Sequence, residues 1–262
     1  MTSSADLRPP LDPSRLPHTV EIVDEAGSTN ALVAERARGG ADAGLVIVAE
    51  HQTAGRGRLD RSWEVPPRAA LTFSVLVRPT VEPAAWPWLP LLTGYAVHAA
   101  LADRAEGIGL KWPNDLLVDS PKGPLKLGGI LVERVETPTG PAAVLGIGIN
   151  VHQTQSELPI PEAVSLEQLV EGVPDRTELL SVILGSLDAL MPLLEDTESL
   201  RRAYAGECLT LGKEVRVDVP AGEPVTGTAI DLDAGGRLVV QTASGEVAVG
   251  AGDVIHVRST EG

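Results

Sequence analysis

Apolar positions recur along this chain with two different periods, and the change from one to the other divides it. Ser28-Thr29-Asn30 precedes an Ala/Leu/Glu/Arg stretch that stops at Gly39-Gly40. That pattern predicts a helix of about three turns with Ser28 at its N-cap and a glycine stop. Residues 44–50 and 70–77 are apolar runs of strand length. The loop between them, 51–68, is too long and too charged for a hairpin turn, and long ordered loops are usually functional or mobile. Residues 89–106 have helical composition, with Gly94 as a weak point. In 142–149, strand alternation sets Val144, Gly146, Gly148 and Asn150 on one face and Ala143, Leu145, Ile147 and Ile149 on the other. The second face is made for a core. The first is stripped of side chains toward its end and finishes in an amide, which leaves room for a ligand. Stretches 177–194 and 197–204 read as helices closing this part of the chain.

From about Gly212 the period becomes two. Val215, Val217 and Val219 alternate with Arg216 and Asp218, and short strands follow around 226–231, 237–241 and 246–249, separated by glycine turns. This predicts a small β-barrel or sandwich. At the other end, residues 1–17 carry proline at 9, 10, 13 and 17 and no periodic pattern, and read as a flexible leader. The division is therefore a leader (1–17), a larger domain (18–210) and a small β domain (211–262).

Composition narrows the function. The 262 residues are 43% apolar and 22% charged, as expected of a soluble globular protein. No apolar run in the plain sequence approaches a membrane span, and no signal peptide is evident. A net charge of −15 argues against a broad nucleic-acid-binding face. The single Cys208 forms no internal disulfide, and no Cys/His spacing resembles a zinc site, so a reducing, cytoplasmic setting is expected. The glutamate-rich segments 133–136 and 157–171 read as solvated surface, and none of the five histidines is assigned a role.

Against this acidic background three basic segments stand out. Gly55-Arg-Gly-Arg-Leu-Asp-Arg61 puts three guanidinium groups on the long loop. Lys111-Trp-Pro-Asn-Asp115 runs from an apolar strand into a turn. Lys126-Leu-Gly-Gly-Ile-Leu-Val-Glu133 sets a lysine before a glycine pair, where no side chain keeps a ligand from the backbone. Together they suggest a phosphate-bearing ligand held against a lysine. Each has a plainer reading: a helix cap for Ser28-Thr-Asn30, a solvated turn for the arginine loop, an ion pair for Lys111, close strand packing for Gly128-Gly129. Trp63 and Trp112 read as packing residues. The arginine loop is not a Walker A loop, since no Gly-Lys-Ser/Thr follows.

With Ser28-Thr-Asn30, Gln52-Thr-Ala-Gly-Arg-Gly-Arg58 and Gly146-Ile-Gly-Ile-Asn-Val151 in the same order, the chain resembles the biotin protein ligases over about residues 18–258. The leader has no room for a helix-turn-helix, so it resembles the monofunctional type. The resemblance implies an α+β fold: a mixed β-sheet with flanking helices, of the class II aminoacyl-tRNA synthetase-like biotin/lipoate ligase core, followed by an SH3-like barrel. It also implies ATP-dependent conversion of biotin to biotinyl-5′-AMP, with Mg²⁺. Biotin then passes to a lysine of a biotin carboxyl carrier protein, with no DNA or membrane partner. By position it implies Ser28, Thr29, Asn30, Gln52, Arg56, Gly57, Arg58 and Lys126 for biotin, and Arg56, Arg58, Lys111, Asn114, Asp115, Lys126 and Asn150 for nucleotide and phosphate. Lys126 and Arg58 are the implied catalytic pair. No residue is assigned to a metal. Many members have glycine at the position of Asp60, and a carboxylate there can pair with Arg58 or Arg61. The adjoining Leu-Gly-Gly selects Lys126 over Lys122. A lipoate-type ligase, a non-catalytic biotin or nucleotide sensor and a transcription regulator are the competing readings.

Overall fold

A computed structural model of the chain describes residues 8–16, 20–121, 123–172, 175–220 and 222–257; the side chain of Asp60 also lies outside the described part, as does Lys122. Seven strands form the main sheet: β1 (Val20–Val23), β2 (Val46–Ala49), β3 (Ala70–Val77), β4 (Ile108–Lys111), β5 (Asp115–Val118), β6 (Leu125–Thr137) and β7 (Gly140–Asn150). Their order is β1-β2-β3-β7-β6-β5-β4. β1 and β2 pair in parallel, and α1 (Thr29–Arg38) makes the crossover such a pair requires. The remaining pairings are antiparallel, so the sheet is mixed as expected.

Each face of the sheet meets different helices because each strand alternates. Val33, Ala34 and Ala37 of α1 pack on Ile47, Leu76, Ala142 and Val144. The opposite face, with Phe73, Ala143, Leu145, Ile147 and Ile149, lies in the larger core with α2 (Leu89–Leu101), α3 (Arg176–Leu190) and α4 (Thr197–Gly206). The expected alternation of β7 is therefore realised. Ten residues of α1 reach only about 15 Å, so part of its face of the sheet stays uncovered. Gly94 inside α2 marks close packing: a Cβ there would lie 3.5 Å from Leu110 of β4.

Two expectations need correction here. The helical run Arg176–Glu195 has 20 residues and contains an 18-residue window of mean hydropathy 1.5, enough by length and composition to span a bilayer. It is instead a core element, with Leu179, Leu180, Ile183, Leu184 and Leu187 buried and α3 packed along α2. The second concerns residues 8–16, which are tied down rather than loose; the rest of the supposed leader lies outside the described residues. Leu11 is buried, its N–H donates to Glu50 Oε1 (2.8 Å), and Arg8 pairs with Glu157 (2.7 Å). Glu50 in turn meets Arg176 at 2.6 Å, both almost fully buried, and Arg176 also donates to the carbonyls of Pro9 and Ala70. Removing one member of such a pair strands the other charge. Arg176→Ala is therefore expected to destabilise the protein by about 3–5 kcal/mol, read as a fall in midpoint on chemical denaturation.

The second sheet contains β8 (Glu214–Asp218), β9 (Val225–Leu232), β10 (Leu238–Thr242), β11 (Gly245–Val249) and β12 (Asp253–His256), all antiparallel, in the order β11-β10-β9-β8-β12. Its inward residues Val215, Val217, Leu238 and Val240 join the main core. Trp88 and Trp112 fasten the sheets together, their indole N–H groups donating to Ala234 O (3.0 Å) and Gly236 O (2.9 Å). Trp112 is thus the packing residue expected of it. The segment after α4 also closes the β4 edge, through Leu110 N–H to Glu207 O and Leu209 N–H to Leu110 O, both 2.8 Å.

Candidate functional site

Strand register assembles the floor of a cleft. Thr72, Gly148, Gly129, Asp115 and Lys111 stand opposite one another across β3, β7, β6, β5 and β4. Residues in one such row share a face, here the face that α1 leaves open. Beyond them, Ser74, Gly146 and Leu131 form a second row. A register shift in the β5–β6 pairing sets Leu117 opposite Lys126 and Leu116 opposite Gly128. The bulge turns Lys126 to the same face as Gly129 and Asp115. All of these except Ser74, Leu116 and Gly128 line a cleft of about 1010 Å³, which is closed on one side by the loop 56–63 and on another by β12.

The two glycines of the Lys126 motif do different things. A Cβ on Gly128 would lie 2.7 Å from Gly148 O, so this residue serves strand packing. A Cβ on Gly129 would lie 3.6 Å from Lys126 Nζ, so its missing side chain keeps the floor clear beside that amine. Lys126 Nζ donates to Asp115 Oδ1 (2.8 Å) and stands 5.9 Å from the ring centre of Trp63. The pair is partly open, with the lysine side chain 28% exposed.

At the other end of the cleft the groups are neutral and interlocked. Ser28 occupies the N-cap position of α1, but its side chain makes no capping bond, contrary to the simple reading of the motif. Gln52 supplies the acceptor instead: its Oε1 takes the Thr29 N–H (2.8 Å) and the Thr29 hydroxyl (3.2 Å). The Ala26–Gln52 bridge, which extends the β1–β2 ladder, brings it there. Ser74 Oγ meets both Thr29 Oγ1 (2.7 Å) and Asn30 Oδ1 (2.6 Å). Asn30 Nδ2 donates to Leu131 O (3.1 Å) and Glu133 Oε2 (2.6 Å). Gly146 has no side chain because Asn30 fills its space: a Cβ there would lie 2.2 Å from Asn30 Oδ1. Gly148 lies under the Trp63 indole in the same way. The bare face read from the sequence is real, and part of it is roofed by Asn30 and Trp63.

The arginine loop crosses above. Residues 58–60 form one 3-10 turn, with Leu59 in the left-handed region (φ 54°). Arg58 donates to Asn114 Oδ1 (3.1 Å), and Asn114 Nδ2 donates to Ile130 O (3.0 Å). Arg56 pairs with Glu133 (3.3 Å), and Arg61 with Asp253 of β12. The Trp112–Pro113 peptide bond beneath is cis. Burial pushes the Arg58 guanidinium and the Lys111 amine below their ordinary values, with Asp115 and Asp253 acting in the opposite direction. His256 is pushed down to about 4 by burial and by Lys111 and Lys213. At neutral pH it is therefore uncharged, with Nε2 3.2 Å from Thr210 Oγ1.

The cleft thus gathers Ser28, Thr29, Asn30, Gln52, Arg56, Gly57, Arg58, Lys111, Asn114, Asp115 and Lys126. Asn150 does not belong with them. It is buried, its Nδ2 donates to Lys126 O (3.4 Å) and Val164 O (3.1 Å), and its Oδ1 accepts from Gln153 (2.8 Å), so its amide is spent on the backbone behind Lys126. Segment 157–171 is likewise more than solvated surface: Lys126 N–H donates to Glu162 O and Val164 N–H to Lys126 O. Glu133 also has a structural task, anchoring Asn30 and Arg56. Ser74 was missed, although a hydroxyl between Phe73 and Val75 in an apolar strand, like Thr72 two residues before it, was a signal that could have found it. Trp63, Lys213, Asp253 and His256 carried no local signal; only the fold brings them to the cleft. The Asp60 side chain, expected to pair with Arg58 or Arg61, falls outside the described residues.

This arrangement suits activation of a carboxylate on a phosphate: amides and hydroxyls at one end, cations at the other, one lysine between. Comparisons with known proteins agree. Residues 26–150 match the Biotin/lipoate A/B protein ligase family and residues 210–257 the Biotin protein ligase C terminal domain. The chain is 41% identical to the biotin–[acetyl-CoA-carboxylase] ligase of Mycobacterium tuberculosis, over 98% of this chain and 100% of that one. It is 30% identical to the bifunctional ligase/repressor BirA of Escherichia coli, over 93% of this chain and 75% of the relative. Among solved structures, the biotin protein ligase from Aquifex aeolicus in complex with biotin and ATP superposes with a TM-score of 0.76 at 27% identity, covering 92% of this chain and 99% of that one. A cleft built around Lys126, a second β domain at its rim and full-length similarity to a biotin ligase lead to one conclusion: the chain belongs to the biotin protein ligase family.

Proposed function

We propose that this protein is a biotin–[acetyl-CoA-carboxylase] ligase, which activates biotin with MgATP to biotinyl-5′-AMP and transfers the biotin to a lysine of a biotin carboxyl carrier protein. The observation that carries this is the position of Lys126 at the junction of the neutral and cationic halves of a single cleft. Ser28, Thr29, Asn30 and Gln52 offer the hydroxyls and amides that suit a ureido ring, which presents both a carbonyl and N–H groups. Lys126 offsets repulsion between the carboxylate and the α-phosphate and stabilises the charge that develops between them. Arg56, Gly57 and Arg58 close the loop over the acyl-adenylate, which keeps water from a mixed anhydride. Lys111, Asn114 and Asp115 serve the phosphate end. Asn150 acts through the backbone of Lys126. Mg²⁺ is expected to arrive with the triphosphate, held mainly by phosphate oxygens and water. The acceptor lysine comes from the partner, so transfer needs no nucleophile from this chain.

Two domains fit this division of labour, 18–210 holding biotin and ATP and 211–262, an SH3-like barrel, supplying one rim of the cleft. Transfer of labelled biotin to an unbiotinylated carrier domain is expected to require MgATP. Labelling that proceeds without ATP, or no labelling of the carrier with it, would contradict the assignment.

A further inference from the structure

Lys126 sits where the main sheet runs out of strand partners. The β6–β7 ladder closes at Gly128, opposite Ile149, so Lys126 lies past the end of β7. On its other side the ladder to β5 shifts register between Leu116 and Leu117, and a bulge leaves the backbone there less tightly paired. Residues 162–164 fill the gap. Lys126 N–H donates to Glu162 O (2.7 Å), and Val164 N–H donates to Lys126 O (2.9 Å). The direction in which the Lys126 amine leaves the sheet therefore depends on a segment that returns to it from beyond the end of β7.

Two buried amides join the strand end to that returning segment. Asn150 Nδ2 donates to Val164 O (3.1 Å) and, more weakly, to Lys126 O (3.4 Å). Gln153 Nε2 donates to Asn150 Oδ1 (2.8 Å). Gln153 Oε1 accepts the Val151 N–H (2.8 Å), which also leans toward Ala69 O (3.3 Å). Gln153 is 1% exposed, and its own carbonyl takes Ser165 Oγ (2.7 Å) and Gln168 Nε2 (3.1 Å). The backbone decides which way round both amides lie. Val151 offers an N–H here, whereas Val164 and Lys126 offer carbonyls, so Gln153 turns its oxygen to the first and Asn150 its nitrogen to the others. That leaves the Gln153 nitrogen against the Asn150 oxygen, and every group is matched. We propose that Gln153 is a positioning residue for the ligation chemistry: through Asn150 it locks residues 162–164 against β6 and so holds the Lys126 amine between the two halves of the cleft. The inference rests on the ligase reading above. Gln153 does not itself line the cleft, so its effect passes through Lys126. A misplacement of a reacting group by about 1 Å costs on the order of 100-fold in rate.

The test asks whether the proton on the Gln153 amide is needed, and not merely its bulk. Gln153→Leu nearly keeps the size and removes both polar groups. Gln153→Glu keeps the acceptor for Val151 N–H, but its second oxygen can face Asn150 Oδ1 only while it carries a proton. Burial and that neighbouring oxygen raise the pH at which the proton leaves. Biotin-dependent pyrophosphate release is followed between about pH 5.5 and about pH 9, beside wild type at each pH, with a thermal melt of every variant. Gln153→Leu is expected to lower kcat for release by about 10- to 100-fold, with KM for biotin within about threefold of wild type. Gln153→Glu is expected to come within about threefold of wild type at the acid end and to fall toward the leucine variant as the pH rises. Wild-type kcat in a folded Gln153→Leu protein would overturn the proposal, as would a loss confined to KM. A Gln153→Glu protein whose activity relative to wild type stays constant across the range would overturn it too. If Gln153→Leu does not fold, that pH profile alone decides. Absence of release from the wild type would overturn the ligase reading, and the role of Gln153 with it.

Discussion

Replacing Lys126 with alanine is expected to lower biotin-dependent pyrophosphate release by about 100- to 1000-fold while leaving the fold intact. The magnitude is that of removing one preorganised donor aimed at developing negative charge, about 2.7–4 kcal/mol. The position supports a loss at that scale. Lys126 faces the cleft because of the register shift in β5–β6, over a glycine that keeps the floor clear. Among the described residues no other amine occupies that place: Lys111 lies one strand beyond Asp115, at the far end of the row. Stability should change little. The Lys126–Asp115 pair is partly exposed, and such pairs contribute about 0–1 kcal/mol. Single-turnover pyrophosphate assays and a thermal melt check both halves. A variant that melts normally and still releases pyrophosphate at the wild-type rate would remove Lys126 from the chemistry.

The second large effect is expected from the smallest substitution. Gly146→Ala puts a methyl group 2.2 Å from Asn30 Oδ1, so the amide must leave its place. Asn30 is held by Ser74 at 2.6 Å, Glu133 at 2.6 Å and Leu131 O at 3.1 Å, and moving it disturbs that whole network. A biotin ureido ring recognised by these groups would lose one or two polar contacts. That corresponds to about 3 kcal/mol, or roughly a 100-fold weaker Kd. Overpacking costs some stability as well, about 1–3 kcal/mol, so biotin titration calorimetry is paired with circular dichroism. A folded Gly146→Ala protein that binds biotin like the wild type would exclude Asn30 from the biotin site.

Local patterns showed a good deal of this in advance, and where they failed the reason is nonlocal. The faces of β7 follow from strand periodicity alone, and the structure places Val144 under α1 and Ile147 in the opposite core. The glycines at 146 and 148 were legible as bare positions. That Asn30 and Trp63 occupy the space above them was not, since both come from distant segments. Asn150 shows the limit most plainly. Strand alternation put its amide on the ligand face, but the segment 153–164 folds over the strand end and takes up every polar atom it has. Ser28 looked like a helix cap because Ser-Thr-Asn is a capping sequence; the acceptor came from Gln52, 23 residues from Thr29. His256 and Asp253 reach the cleft only because Trp88 and Trp112 dock the second sheet there. Composition could not anticipate the Glu50–Arg176 pair either, which buries two charges to hold residues 8–16 against the core.

The central claim is that one cleft activates biotin as an acyl-adenylate. It is tested most directly by pyrophosphate release from MgATP in the presence of biotin, of lipoate, and of neither. Release is expected with biotin alone, at a rate that vanishes when biotin is withheld. Release with lipoate and none with biotin, or no release with either, would contradict it.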